Sequence, residues 1–173
     1  MSLEIVYRAF RDDDNVSEIT AMLHLAYGSL LRMGFRYTAT GQDDATTLRR
    51  LRKGSPLMAE HEGKVVGTIT YYPANPDSIC ACYRSSPSFG QFGVHPQFQR
   101  QGIGRALLAQ MEARACADSA ATLALDTAEG AAHLCRWYGS LGYEFVEYVT
   151  WGTVNYRSVI LAKKLAPAPA ERR

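Results

Sequence analysis

The chain has 173 residues, 47% of them hydrophobic and 21% charged, with a formal net charge of +2. It is too apolar for a disordered chain and too weakly basic for a polyanionic partner, and a chain this long buries roughly 70% of its unfolded surface, so one core holds without covalent staples. There is no 18-residue apolar run and no signal-like start, and Cys80, Cys82, Cys116 and Cys135 lack finger, redox or disulfide-framework spacing, so a cytoplasmic protein with no membrane contact and no metal is expected.

Residues 5–10 alternate as a first strand, and Asp12, Asp13, Asp14 and Asn15 offer a turn and an N-cap. Val16, Ile19, Leu23, Ala26, Tyr27 and Leu30 then mark one face of a helix. A loop from Gly34 to Gly41 carries Phe35 and Tyr37. Asp43 and Asp44 open a short helix that Arg49, Arg50, Arg52 and Lys53 close before Gly54. That charge order matches a helix dipole, and with no interleaved aromatics the basic cluster reads as a solvated face. Residues 57–61 and 64–72, joined by Glu62-Gly63, read as an antiparallel hairpin, and 73–87 as a long connector with Cys80 and Cys82 as loop thiols.

Residues 89–108 hold the most informative pattern. A short apolar strand stops at His95-Pro96, and a turn bearing Gly102 and Gly104 opens directly into a helix. The first amides of a helix have no intrahelical partner, so donors freed of side-chain bulk converge on an anion that the dipole also favours. A dinucleotide fingerprint is not met, because Leu107 fills the third small position and Asp118 lies in a helix-ending segment; a P-loop fails for want of Gly-Lys-Ser/Thr. Residues 123–126 then read as a buried strand, and Ala131, Leu134, Tyr138 and Leu141 as a helix ended by Gly142, with Asp126 and Glu129 at the spacing of a capping pair. Residues 144–151 and 156–163 supply two more β-rich runs before a tail at 166–173. One domain over 1–165 is expected.

Gln99-x-x-Gly102-x-Gly104 resembles the acetyl-CoA pyrophosphate loop of the GCN5-related N-acetyltransferase (GNAT) superfamily, and Tyr138-Gly139-Ser140-Leu141-Gly142-Tyr143 resembles its Y-x-x-x-G-F/Y signature. The resemblance runs from about Glu4 to Leu165. It implies an α/β fold with a central mixed, mostly antiparallel sheet and helices on both faces. It also implies acetyl-CoA as co-substrate, with the amides of Gln101, Gly102, Ile103, Gly104, Arg105 and Ala106 on the pyrophosphate and Arg100 and Arg105 adding charge.

By the same resemblance the pantetheine arm lies along the strand holding Phe92 and Val94, the Phe92 amide faces the thioester oxygen, and Tyr138 protonates the leaving thiolate. Some members place a glutamate base early in that strand. Here Ser88 and Gln91 stand there, and neither His95, Asp126 nor Glu129 is assigned the role. Acceptor contacts are expected from Phe35, Tyr37, Tyr83 and Gln91, with Tyr148 and Trp151 nearby, in a partly apolar pocket for a small-molecule primary amine or amino acid. The rival expectations are acetylation of a protein N-terminus or an aminoacyl-tRNA, or a non-catalytic acyl-CoA sensor. A nucleic-acid partner is not expected at +2, and a homodimer is left open.

Overall fold

Seven strands and five helices follow one another along residues 4–166, the part of the chain that the computed structural model describes. The strands are β1 (Val6–Ala9), β2 (Ser55–His61), β3 (Lys64–Tyr72), β4 (Ser88–Val94), β5 (Thr122–Ala128), β6 (Glu144–Thr150) and β7 (Arg157–Lys164). They form one sheet in the order β1-β2-β3-β4-β5-β7-β6. Every neighbouring pair is antiparallel except β4 and β5. This is the mixed, mostly antiparallel sheet that the sequence implies.

Helices cover both faces because the strands alternate. On β2, Leu57 and Ala59 pack into the cluster built by α4 (Ile103–Ala117) and α5 (Ala132–Ser140), whereas Met58 between them packs with Ile19 and Leu23 of α1 (Val16–Arg32) and Leu51 of α2 (Asp44–Lys53). The Glu62-Gly63 turn has both residues in the left-handed region (φ 49° and 77°), as a two-residue hairpin loop requires. Gly142 ends α5 at φ 91°, with the Tyr143 amide returning to the Tyr138 carbonyl at 3.1 Å.

Two expectations are corrected. The connector holds a short helix, α3 (Ala81–Ser85), and Cys80 ahead of it is buried rather than a loop thiol. Its Sγ donates to Glu147 at 3.4 Å, Glu147 also accepts the Cys82 amide at 2.9 Å, and burial pushes the Cys80 thiol up to about 11. The Asp126–Glu129 pair caps nothing, since Ala131 is the N-cap of α5 and Glu129 pairs with Arg157 at 2.7 Å. Of the predicted tail, residues 167–173 lie outside the described residues.

Asn15 caps α1, while Asp14 beside it accepts two hydrogen bonds from Arg8, at 2.7 and 2.9 Å, and Arg8 reaches Glu60 of β2 at 2.6 Å. The Arg8 hydrogen bonds hold the Asp14 carboxyl below its ordinary value against the opposing effect of burial. A depressed folded-state pKa adds stability that is present above the unfolded value of about 3.9 and is lost as pH falls through the folded one. Asp14→Asn is therefore expected to lower the melting temperature at pH 7, with the gap from wild type closing below about pH 4. Melting curves between pH 7 and pH 3 check this; a gap that is constant with pH would rule out the ion pair as its source.

Candidate active site

The sheet splays open at its centre. β4 and β5 share one register point, Ser88↔Ala124, where the Ala124 amide donates to the Pro87 carbonyl at 3.0 Å. Beyond it no β5 residue pairs with Phe89 to Val94, which leaves that backbone edge able to take an added extended segment.

A β-bulge marks the other edge of β4. Pairing with β3 shifts between Thr68↔Gly93 and Thr70↔Gly90, and Gln91 within the shift has φ 47°. Left-handed backbone in a residue with a Cβ costs roughly 1–2 kcal/mol. The inserted residue resets the alternation, so Phe89 and Phe92, three apart, both join the α4/α5 cluster with ring centroids 5.9 Å apart. Gln91 goes to the α1/α2 face and is 1% exposed. Its Oε1 accepts from Gln42 Nε2 at 3.1 Å, and its own Nε2 has no partner among the described residues. Burial raises the pKa of Tyr27, which lines the same region.

After β4 the chain turns back on itself. Gln99 Nε2 donates to the Val94 carbonyl at 2.9 Å, Gln101 Nε2 donates to the Gln97 carbonyl at 3.1 Å, and both side chains are thereby committed to holding the loop. Arg100 and Gly102 are left-handed (φ 60° and 86°), which turns successive amides toward one side. Gly102 is the N-cap of α4, and the Ala106 amide makes the first intrahelical bond, to the Gly102 carbonyl at 2.9 Å. Gln101, Gly102, Ile103, Gly104 and Arg105 therefore keep amides without an acceptor among the described residues, whereas that of Ala106, expected to join them, is engaged in the helix. The Ile103 side chain is 2% exposed and anchors the loop in the core. Arg100 and Arg105 form no ion pair among the described residues.

One cavity of about 1440 Å³ runs from this loop, past the free edge of β4, to α1 and α2. It exceeds the ~300–1,000 Å³ of an ordinary small-ligand pocket, leaving room for two substrates. Val94, Gln99, Arg100, Gly102, Gly104 and Arg105 line one end; Phe92, Trp137 and Tyr138 line the middle. Tyr138 is buried among Phe89, Trp137 and Tyr143, yet its hydroxyl has no hydrogen-bond partner among the described residues and borders the cavity. Burial holds that phenol well above its ordinary pKa, so it stays protonated.

Tyr37, Tyr83 and Gln91 line the acceptor end. Tyr37 accepts the Ala128 amide at 2.9 Å and pairs with Thr127 Oγ1 at 2.8 Å. Tyr83 donates to Asp126 Oδ1 at 3.1 Å and stacks on Trp151. Phe35 does not reach the cavity: it packs edge-on against Tyr156, and the Cα of Gly130 sits so close that an added Cβ would meet the ring at 2.6 Å. Tyr148 points outward, 47% exposed, under the Arg157 guanidinium.

Two charged residues at this end are not among the acceptor contacts expected from the sequence. Asp126 accepts from Tyr83, from Trp151 Nε1 at 3.1 Å and from Ser158 Oγ at 3.0 Å. Arg50, read in the sequence as part of a solvated face, instead turns into the cavity and donates to Gln42 Oε1 at 2.6 Å. Arg50 lies three residues after Thr47 and so shares its side of the helix, and Thr47 is fully buried, but a polar threonine does not mark a core face in the sequence.

The described residues hold no helix long and apolar enough to cross a membrane and no cluster of three metal-ligating side chains. The model of the acetyltransferase (GNAT) family matches residues 19–143. The fold is similar to that of a protein from Pyrococcus horikoshii OT3 (TM-score 0.72, 20% identity, 94% of this chain and 99% of that one covered). It is also similar to a GNAT family acetyltransferase from Elizabethkingia anophelis with acetyl-CoA bound (TM-score 0.64, 16% identity, 93% and 98% covered). A ribosomal-protein-alanine N-acetyltransferase from Brucella melitensis gives a TM-score of 0.67 at 21% identity, with 92% and 99% covered. At these identities the likeness is one of fold.

Proposed function

Since the chain belongs to the GNAT family of acetyltransferases, we propose that it moves the acetyl group of acetyl-CoA to the primary amine of a small molecule by direct attack. The residues fit the donor. The free amides of residues 101–105 offer converging donors for a pyrophosphate, an L side chain is disfavoured at Gly102, and the unpaired edge of β4 offers main-chain partners to an extended arm. Acetyl-CoA supplies an activated thioester whose acyl group passes to nitrogen with release of the thiol.

This chain's residues orient that exchange and move its protons. The Phe92 amide, in the bulge, is the donor to the carbonyl oxygen as negative charge grows there; one such donor is worth about 3 kcal/mol of barrier. The C–N bond forms as the C–S bond breaks, and the Tyr138 hydroxyl gives its proton to the departing sulfur. An ammonium gives up two protons in becoming an amide. One restores Tyr138 and the other leaves to water.

The observation that carries this reading is the unpartnered Tyr138 hydroxyl bordering a cavity that also reaches the amides at the start of α4. An acceptor panel of small amines, N-terminal peptides and aminoacyl-tRNA, read by mass and by free thiol, tests it. The expected result is acetylated small amines. Acetylated peptides or tRNA alone would transfer the activity to a macromolecular acceptor, and bound acetyl-CoA with no thiol release would make the protein a sensor.

A further inference from the structure

We infer that the acceptor is an amino acid, its ammonium received by Asp126 and its carboxylate by Arg50; the inference rests on the reading of the site as a small-molecule amine acetyltransferase. Both side chains line the acceptor end of the cavity, and neither forms an ion pair among the described residues. An unpaired charge in a partly desolvated cavity is costly unless a ligand neutralises it. Here one of each sign is held in place.

Arg50 is positioned through buried groups. Its Nη1 donates to Gln42 Oε1, and a guanidinium can only donate, which turns the Gln42 amide nitrogen inward to Thr47 Oγ1 at 2.7 Å and Gln91 Oε1 at 3.1 Å. Thr47 closes the chain by accepting from Thr20 at 2.8 Å, and Gln42, Thr47 and Gln91 are each no more than 5% exposed. The remaining guanidinium donors are available for a planar carboxylate. Asp126 is held from the other side by Tyr83, Trp151 and Ser158, all neutral donors that leave its negative charge uncompensated.

The polarity suits transfer to nitrogen. Asp126 lies on β5, the strand that faces the open edge of β4 along which the acyl donor would run. Arg50 lies on α2, away from β5, and its carbonyl accepts from the Tyr72 hydroxyl at 3.2 Å. An amino acid spanning the two presents its amine to the thioester side and its carboxylate away from it. The aromatic rings of Tyr72, Tyr83 and Trp151 remain for its carbon skeleton.

The test uses α- and ω-amino acids, each beside its carboxamide and its decarboxylated amine, with free thiol measured at saturating acetyl-CoA. Wild type is expected to favour at least one acid over its carboxamide and its amine by about 10- to 100-fold in kcat/KM, the size of one charge-assisted contact. Arg50→Gln, its fold checked by the acetyl-CoA thermal shift, should bring that ratio near one. Asp126→Asn should raise KM for all amines alike. Wild-type turnover of amines with no preference for any acid overturns the inference and leaves the small-amine reading standing; this comparison needs no variant. No turnover of any amine, with acetyl-CoA still bound, overturns both.

Discussion

Tyr138→Phe is expected to lower kcat by 10²- to 10⁴-fold, the usual range for loss of a positioned proton donor, with the Kd for acetyl-CoA unchanged. The substitution isolates chemistry from packing. The ring that contacts Phe89, Trp137 and Tyr143 is kept, and the hydroxyl removed has no hydrogen-bond partner among the described residues, so the melting temperature should not fall. Because burial keeps the phenol protonated beyond its ordinary value of about 10, the wild-type rate should rise with pH as the amine deprotonates and show no decline through pH 9 from loss of this acid. Stopped-flow thiol release with a competent amine measures the chemical step. Turnover left intact in Tyr138→Phe would remove the phenol from the reaction and return it to the core.

Gly102→Glu should weaken acetyl-CoA binding by two orders of magnitude or more, roughly 3 kcal/mol, and Gly102→Ala by much less. Both variants place a Cβ on a residue at φ 86° and share a strain of about 1–2 kcal/mol. No heavy atom lies within 4 Å of that Cβ position, so neither clashes with the protein. What separates them is a carboxylate set among the free amides of residues 101–105, where it would compete with the proposed pyrophosphate. Calorimetric titration of both variants gives the comparison. Equal affinities in Glu, Ala and wild type would detach the loop from cofactor binding.

Much of this architecture is legible residue by residue. The hairpin follows from Glu62-Gly63, the caps of α1 and α2 from Asn15 and Asp43, and the end of α5 from Gly142, since each feature is decided within a few residues of chain. The same holds for the donors at the start of α4, which need only a strand stop, two glycines and a helix. The short helix α3 was not legible, because five residues carry too little periodicity to stand out from a loop.

The sequence by itself determined the order of the strands and the longer helices, the glycine-bearing turn that opens α4 and the tyrosine on the inner stripe of α5, all set by local periodicity and by backbone freedom at single positions. Only the tertiary structure decided which face of β4 each side chain takes, because strict alternation groups residues 89, 91 and 93, while the bulge regroups Phe89 with Phe92 and sends Gln91 to the opposite side. It also decided that Arg50 turns inward. Its orientation rests on Gln42, and through it on Gln91, 49 residues farther along the chain, a contact fixed by packing of the helices on the sheet and carried by no local pattern.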